Sequence, residues 1–262
     1  MAKEKITIKT EEEINLLRKS CLLVGKTLAE VAKIIEPGVN TAKLDKIAEE
    51  YILDHGSLPG FKGYGGFPAT LCISINEEVV HGIPGNRIIQ DGDVVSIDCG
   101  TLMNGFYGDS AYTFAVGNVS KKNLKLLKVT KESLYKGIEQ AVAGKRVGDI
   151  GYAVQNHVEP FGYGVVRELV GHGLGRNLHE KPEIPNFGRR GTGSKLIEGM
   201  TIAIEPMITR GSYDITQDED GWTIRTIDGL SAAHYEHDVV IHKGKAEILS
   251  TFDYIEEVLK NK

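Results

Sequence analysis

Apolar residues recur with a helical period in two separate parts of the chain. The first stripe starts after a Thr10–Glu13 capping box and stops at Pro37-Gly38, and a second helix is predicted from about residue 41 to residue 55. The helical pattern returns after Gly117, with Ser120 as its N-cap, and Asp149 is predicted to cap a further short helix. These stripes predict helices with one face packed on a sheet.

Between the helical segments, residues 92–117 alternate in the manner of a β-hairpin. Asn104-Gly105 favours a two-residue type I′ turn. If Met103 pairs with Phe106, Asp98 and Asp109 become diagonal neighbours on one sheet face, roughly 7–8 Å apart. A solvated sheet face is the simpler interpretation of two such aspartates, and a shared ligand is the alternative.

The pattern repeats along the chain. The segments 38–56 and 144–162 are both helix-break, helix, Gly units, and they lie 106 residues apart. GDVVSID ends at Asp98 and GMTIAIE ends at Glu205, while Asp109 and Glu236 each stand eight residues before a glycine. His81-x-x-Pro84 likewise matches His179-x-x-Pro182. We therefore expect a single domain over residues 1–262, built from pseudo-repeat halves of about 1–118 and 119–262.

Composition narrows the class of protein. The net charge of −5 offers no overall field for nucleic acid, and neither a signal peptide nor an 18-residue apolar run is present. The three cysteines lack CxxC spacing, so we expect them to be buried small hydrophobes. The expectation is a soluble cytoplasmic protein without membrane attachment or sequence-specific nucleic-acid binding.

Folding such a repeat about a pseudo-two-fold axis would bring four carboxylates together, namely Asp98, Asp109, Glu205 and Glu236. Their mutual repulsion requires compensation, and two divalent cations would supply about +4 against −4. Glycines flank His172 and would allow its backbone to approach a metal closely. A structural role is the alternative for His172, and it is the favoured interpretation for His234, His237 and His242.

Successive motifs of the chain resemble those of type I methionine aminopeptidases. They are CISINEEVVHGIP, VSIDCG with GFYGDSAYTF, VGHGLGRNLHE, AIEPM and AHYEHDVVI, and they occur in the family's order over nearly the whole chain. The resemblance implies an α/β (α+β) pita-bread fold, in which two pseudo-symmetric halves wrap a curved antiparallel sheet covered by helices. It also implies two divalent metal ions, with Co, Mn, Fe, Zn and Mg as candidates, held by Asp98, Asp109, His172, Glu205 and Glu236.

By the same resemblance, His81, His179 and Glu205 are the catalytic residues. Glu205 would be the general base, His179 would donate to the developing oxyanion, and His81 would orient the scissile amide. The substrate-binding set also includes both histidines, and its remaining members form a side pocket for methionine: Phe61, Tyr64, Phe67, Cys72, Leu178 and Trp222. Leu178 departs from the family pattern, because many relatives carry an aromatic residue there.

The resemblance thus implies a metallo-exopeptidase that removes the initiator methionine from nascent proteins with a small second residue, by attack of a metal-bridging hydroxide. A monomer is expected, and transient ribosome contact is left open. A lysine run between Lys121 and Lys131 is interpreted first as a solvated helix face. Two alternatives remain: a proline-specific peptidase of the same fold, and a pita-bread binding protein without metals.

Overall fold

Four of the five helices among the described residues occur where the sequence predicts them, and the fifth, α5, was not predicted. The computed structural model describes residues 6–262. The helices are α1 Glu11–Ile34, α2 Thr41–Asp54, α3 Lys121–Ile138, α4 Val147–Val158 and α5 Asp253–Lys260, with 3₁₀ turns at Tyr64–Gly66 and Glu159–Phe161. The capping box is confirmed, because the Thr10 side chain accepts from the Glu13 amide and the Glu13 carboxylate accepts from the Thr10 amide.

Within the described residues the strands pair antiparallel, in four sheets. Those of the first half are β1 Leu58–Pro59, β2 Leu71–Ile75, β3 Glu78–Val80, β4 Val94–Met103 and β5 Phe106–Ala115. Those of the second half are β6 Gly164–Val165, β7 Gly171–Gly173, β8 Glu180–Ile184, β9 Thr201–Ile204, β10 Met207–Thr209, β11 Ile215–Gln217, β12 Ile224–Thr226, β13 Ala232–His234, β14 His237–Val240 and β15 Glu247–Ile248. The mixed α/β class with antiparallel sheets is confirmed.

The predicted hairpin is the longest pair of strands. β4 and β5 pair from Met103↔Phe106 outward, and Asp98 lies opposite Ala111 as the register requires. Asn104 and Gly105 have φ values of 54° and 75°. Both values are positive, as a type I′ turn demands, so the turn and the register are confirmed.

Equivalent hydrogen bonds recur in the two halves. The Gly38 amide donates to the Ile89 carbonyl at 2.9 Å, and the Gly144 amide donates to the Leu196 carbonyl at 2.9 Å. The antiparallel pairing of β2 with β4 has its counterpart in the pairing of β7 with β9. Helices α1 and α2 correspond in the same way to α3 and α4. The two halves are therefore pseudo-symmetric, as the repeated pattern predicts.

One apolar cluster extends through both halves. Its members include Leu28, Leu44, Ile97, Leu126 and Ile204, all completely buried. A core shared in this way fixes the sheets of the two halves against each other. Within residues 6–262, no helix is long and apolar enough to cross a membrane.

The predicted cap of α4 is wrong. The N-cap is Arg146, and Asp149 lies three residues later, inside the first turn. Its carboxylate still closes the helix end, because it accepts hydrogen bonds from the Arg146 amide at 2.9 Å and from the Gly191 amide at 2.8 Å. Asp149 therefore acts from the N3 position, which sequence spacing alone did not separate from the cap.

Candidate metal centre

The hairpin directs two aspartates into the interior. Asp98 projects from β4 and Asp109 from β5, and both side chains are buried. The Oδ1 atom of each carboxylate is buried without a hydrogen-bond partner among residues 6–262. Buried polar atoms are nearly always paired, so these two oxygens point to a ligand.

Two glutamates reach the same place from the second half. Glu205 follows β9 directly, and its carbonyl accepts a hydrogen bond from the Asn186 side chain at 3.0 Å. Glu236 lies between β13 and β14, where its amide donates to the Ala111 carbonyl at 3.0 Å and its carbonyl accepts from the Ser110 hydroxyl at 2.7 Å. These bonds tie the Glu236 backbone to β5, so carboxylates from the two halves are held in one register.

His172 faces this group from β7. Its Nδ1 lies 3.0 Å from the Gly173 carbonyl, so Nδ1–H donates there and the Nε2 lone pair is free. Nε2 lies 3.6 Å from Glu205 Oε1 and 4.0 Å from Asp109 Oδ2. This is the tautomer that a metal ligand requires.

The glycines beside His172 were predicted to let the backbone approach a metal, but the structure gives them a different role. A Cβ on Gly171 would come within 2.4 Å of the Ala203 carbonyl oxygen, and one on Gly173 within 2.5 Å of the Lys181 carbonyl oxygen. They allow β7 to fit between β8 and β9. The close approach is between strands, and it fixes His172 in place.

The donor set fits divalent cations. One ligand atom each from Asp109, His172 and Glu236 lie within 4.8 Å of one another. Burial raises the pKa of Asp98 to about 7 and raises those of Asp109, Glu205 and Glu236 well above their ordinary values; repulsion from neighbouring carboxylates adds to the last three. Burial also lowers the pKa of His172 to about 3, which keeps its imidazole neutral. Cations would relieve the cost of gathering these anions.

Two more histidines line the space above the carboxylates. His81 has a φ of 60°, a left-handed conformation that is uncommon outside glycine. His179 lies with its Nδ1 3.0 Å from the Tyr64 hydroxyl, and its ring packs edge-on to His172 with centroids 4.4 Å apart. Burial lowers the pKa of His81 to about 4 and lowers that of His179, so both are neutral near pH 7.

A cavity of about 280 Å³ brings the predicted site residues together. Its floor carries the five candidate ligands, and its wall is largely apolar and aromatic, made by Phe61, Tyr64, Phe67, Cys72, Leu178 and Trp222. Phe67 and Trp222 meet edge to face, with ring centroids 5.1 Å apart. A wider groove of about 660 Å³ adjoins it and shares His81, His172, His179 and Glu205. The arrangement suits a side chain in the slot and the rest of an extended peptide in the groove.

Sequence reasoning missed two side chains near this centre. His234 is buried, with its Nε2 3.8 Å from Glu205 Oε2 and 3.9 Å from Glu236 Oε2, in contrast to the structural role expected of it. Asp238 is completely buried behind Asp109, and its Oδ2 accepts from the Asp109 amide at 2.6 Å. The sequence signal that could have identified both residues is the two-residue period of a strand, which places His234 and Asp238 on the same face as Glu236.

The other expected structural groups behave as predicted. His237 Nδ1 lies 2.7 Å from the Ser250 hydroxyl, and the ring stacks on Phe252 with centroids 3.9 Å apart. His242 lies beside Glu247, away from the cavity. The three cysteines are buried and free.

Comparison with known proteins agrees with this geometry. The model of metallopeptidase family M24 matches residues 15–243. Among curated relatives, the methionine aminopeptidase of Clostridium acetobutylicum is 52% identical over 94% of this chain and 98% of its own length. Methionine aminopeptidase 1 of Bacillus subtilis is 47% identical over 94% of this chain and 99% of its own.

A solved structure matches the whole fold. The crystal structure of methionine aminopeptidase from Rickettsia prowazekii superposes with a TM-score of 0.93 at 40% identity, covering 94% of this chain and 100% of that one. The pita-bread arrangement is thereby confirmed. On both sequence and structure, the chain belongs to metallopeptidase family M24 and groups there with relatives named methionine aminopeptidase.

Proposed function

We propose that this chain is a methionine aminopeptidase that removes the N-terminal methionine from nascent proteins with a small second residue. The observation that carries the proposal is a set of buried, unpaired carboxylates at the floor of an apolar slot. The family and the close relatives support the same reaction. A metal-free binding protein would have no use for anions gathered at this cost.

The proposed metal ligands are Asp98, Asp109, His172, Glu205 and Glu236. The unpartnered oxygens of both aspartates and of Glu236 support this set. We propose two divalent ions, with Co, Mn, Fe, Zn or Mg as candidates. When bound, such ions lower the pKa of water and polarise a carbonyl group.

Glu205 is the proposed general base. Its backbone is held by Asn186 and by Pro206, so its carboxylate is aimed into the cavity and can accept a proton there. That proton would then pass to the departing amine. His81 is the proposed contact for the scissile amide.

His179 is the proposed donor to the developing oxyanion. If the Tyr64 hydroxyl donates to Nδ1, the proton of the imidazole lies on Nε2. A neutral Nε2–H is the donor that the negative oxygen of the transition state requires. Tyr64 therefore sets the tautomer, while His179 contacts the substrate.

The proposed methionine slot is lined by Phe61, Phe67, Cys72, Leu178 and Trp222, with Tyr64 at its side. An unbranched thioether can adapt to such a wall, whereas charged side chains would lose their solvation. Norleucine is expected to be accepted nearly as well as methionine, because it is an unbranched chain of the same length in which a methylene replaces the sulfur atom.

The setting of the enzyme is also part of the proposal. We propose a single catalytic domain, acting as a cytoplasmic monomer on nascent chain termini, with at most transient ribosome contact. The lysine run of α3 does not define a docking surface. Lys128 lies 3.9 Å from Glu132, Lys131 pairs with Glu256, and Lys125 stacks over Phe161, in agreement with a solvated helix face.

The test is cleavage of Met-Ala-Ser by metal-free protein after addition of single defined ions. We expect activity only with an ion present, loss of activity with chelator, and much slower release of leucine from Leu-Ala-Ser. Preferential hydrolysis of Xaa-Pro dipeptides would instead favour the proline-specific alternative. Activity that survives exhaustive chelation would contradict the metal assignment.

A further inference from the structure

His234 occupies an unusual position for a structural histidine. It ends β13, and its ring is almost completely buried beside the candidate metal centre. Its Nε2 has no hydrogen-bond partner in the part of the chain that the structure describes. The nearest carboxylate oxygens are Glu205 Oε2 at 3.8 Å and Glu236 Oε2 at 3.9 Å. An orphaned imidazole nitrogen facing two acidic side chains requires an explanation.

The backbone around His234 is rigidly held. The Thr113 hydroxyl accepts from the His234 amide at 2.9 Å and donates to the His234 carbonyl at 2.6 Å. The neighbouring Tyr235 hydroxyl donates to the Thr113 carbonyl at 2.9 Å. These contacts fix the His234 backbone against β5, and burial of the ring confines the imidazole beside the two glutamates.

This nitrogen has two chemically distinct roles available. As a metal ligand, Nε2 would present a lone pair. The compact group of three donors among the described residues, Asp109, His172 and Glu236, does not decide the matter, because it omits the proposed ligands Asp98 and Glu205 as well as His234. As a donor, Nε2–H would satisfy one or both carboxylates, whereas a lone pair in the same place would repel them.

We infer that His234 is a positioning residue, whose Nε2–H faces the carboxylates of Glu205 and Glu236 at 3.8 Å and 3.9 Å, closes to hydrogen-bond distance of one of them when ions are bound, and holds it in the orientation that metal binding and proton transfer require. The two imidazoles then have complementary tasks. His172 presents a lone pair to one side of Glu205, at Oε1, and His234 presents a proton to the other side, at Oε2. The inference rests on the proposed function, since it assigns His234 to the same centre.

Three variants test the role. His234→Gln keeps an N–H donor near the position of Nε2, and His234→Leu keeps the volume without the donor. His237→Leu is the matched control, because His237 is equally buried but faces Ser250 and Phe252. Calorimetric titration of each metal-free protein with Mn²⁺ gives the Kd and the number of ions, and thermal melting reports folding.

We expect His234→Leu to weaken Mn²⁺ binding about 10–100-fold, which is the usual effect of losing a hydrogen bond to a metal ligand, with the number of ions unchanged. His234→Gln should remain close to wild type, and His237→Leu should lose thermal stability while keeping its Kd. Unchanged binding by His234→Leu would overturn the inference. Loss of one ion in both His234 variants would also overturn it and make His234 a ligand.

An independent measurement needs no folded variant at this position. Nitrogen-15 NMR of the metal-loaded protein reports which imidazole nitrogen carries a proton. We expect the proton of His234 on Nε2, and a bare Nε2 would contradict the donor role. Neither readout depends on peptide cleavage, so failure of the proposed function would appear separately, as wild-type protein that binds ions normally but does not release methionine.

Discussion

At the scale of single residues, the site depends on hydrogen bonds that set the protonation of neutral imidazoles. His172 is fixed by the Gly173 carbonyl and His179 by the Tyr64 hydroxyl. The resemblance of the motifs supplied both histidines but not their hydrogen-bond partners, because the partner of His172 is a neighbouring carbonyl whose orientation only the folded chain shows, and the partner of His179 is distant in the sequence. Tyr64 is 115 residues from His179.

Replacing Tyr64 by Phe should lower kcat by about two- to tenfold, the value of one neutral hydrogen bond, because the Nε2–H tautomer of His179 is no longer favoured.

His179→Ala should lower kcat by about 10²–10³-fold, because the donor itself is lost. Metal content should be normal in both variants, and Tyr107→Phe, at the edge of the same apolar cluster, is the control. Metal-free His179→Ala protein would show instead that His179 is a ligand.

Leu178 offers a test of the methionine slot. It is buried against Phe61, Phe67 and Cys72. Leu178→Phe should narrow the slot, so the ratio of kcat/KM for Met-Ala-Ser to that for norleucine-Ala-Ser should change more than the cleavage chemistry does. Leu178→Met is the matched control of similar volume. If wild type and Leu178→Phe have the same ratios of kcat/KM for the methionine, norleucine and leucine substrates, Leu178 does not determine specificity.

At the scale of elements, the hairpin was predictable because its turn is local. Asn104-Gly105 fixes the register, and the register fixes the relation of Asp98 to Asp109. The positions of the second pair of carboxylates, Glu205 and Glu236, were harder to predict from the sequence. Glu205 lies just beyond β9 and Glu236 in a break between β13 and β14, so neither follows a long regular strand. The strand period sets His234 on the face of Glu236, but the break after β13 weakens that signal, and tertiary packing shows that His234 also lies beside Glu205.

The turn can be tested by two matched glycine substitutions. Gly105 has a positive φ of 75° and room for a Cβ, so Gly105→Ala should cost about 1–2 kcal/mol in the free energy of unfolding through backbone strain alone. Gly85 also has room for a Cβ but lacks the left-handed φ, and Gly85→Ala should be neutral or slightly stabilising. Urea unfolding measures both. Equal effects would mean that the left-handed turn is not what Gly105 provides.

At the scale of the whole molecule, the site lies where the two halves meet, and its charges link metal binding to stability. Burial raises the pKa of Asp98 to about 7 and that of Asp238 to about 8. In the metal-free protein these carboxyls hold protons that the unfolded chain releases near pH 4. The folded state thus binds more protons between about pH 4 and pH 8, and its stability falls as the pH rises through this range and levels off above it.

We therefore expect the melting temperature of metal-free protein to decrease between pH 6.5 and pH 8. The buried histidines have lowered pKa values, so they make the folded state more stable as the pH rises. This gain in stability is complete above their ordinary pKa of about 6.5. Saturating Mn²⁺ should abolish the decrease, because ions replace the protons. If the melting temperature decreases equally with pH in the presence and absence of Mn²⁺, the carboxylates do not face the ions.

The most direct test of the account is the number of ions bound by wild-type protein, Asp98→Asn and Glu236→Gln, measured on the same samples that are assayed with Met-Ala-Ser. We predict two ions and full activity for wild type, and loss of at least one ion and of turnover in each variant. Both metal-free variants should melt no lower than metal-free wild type, because each lacks one buried carboxyl. Variants that keep both ions and cleave at the wild-type rate would contradict the account.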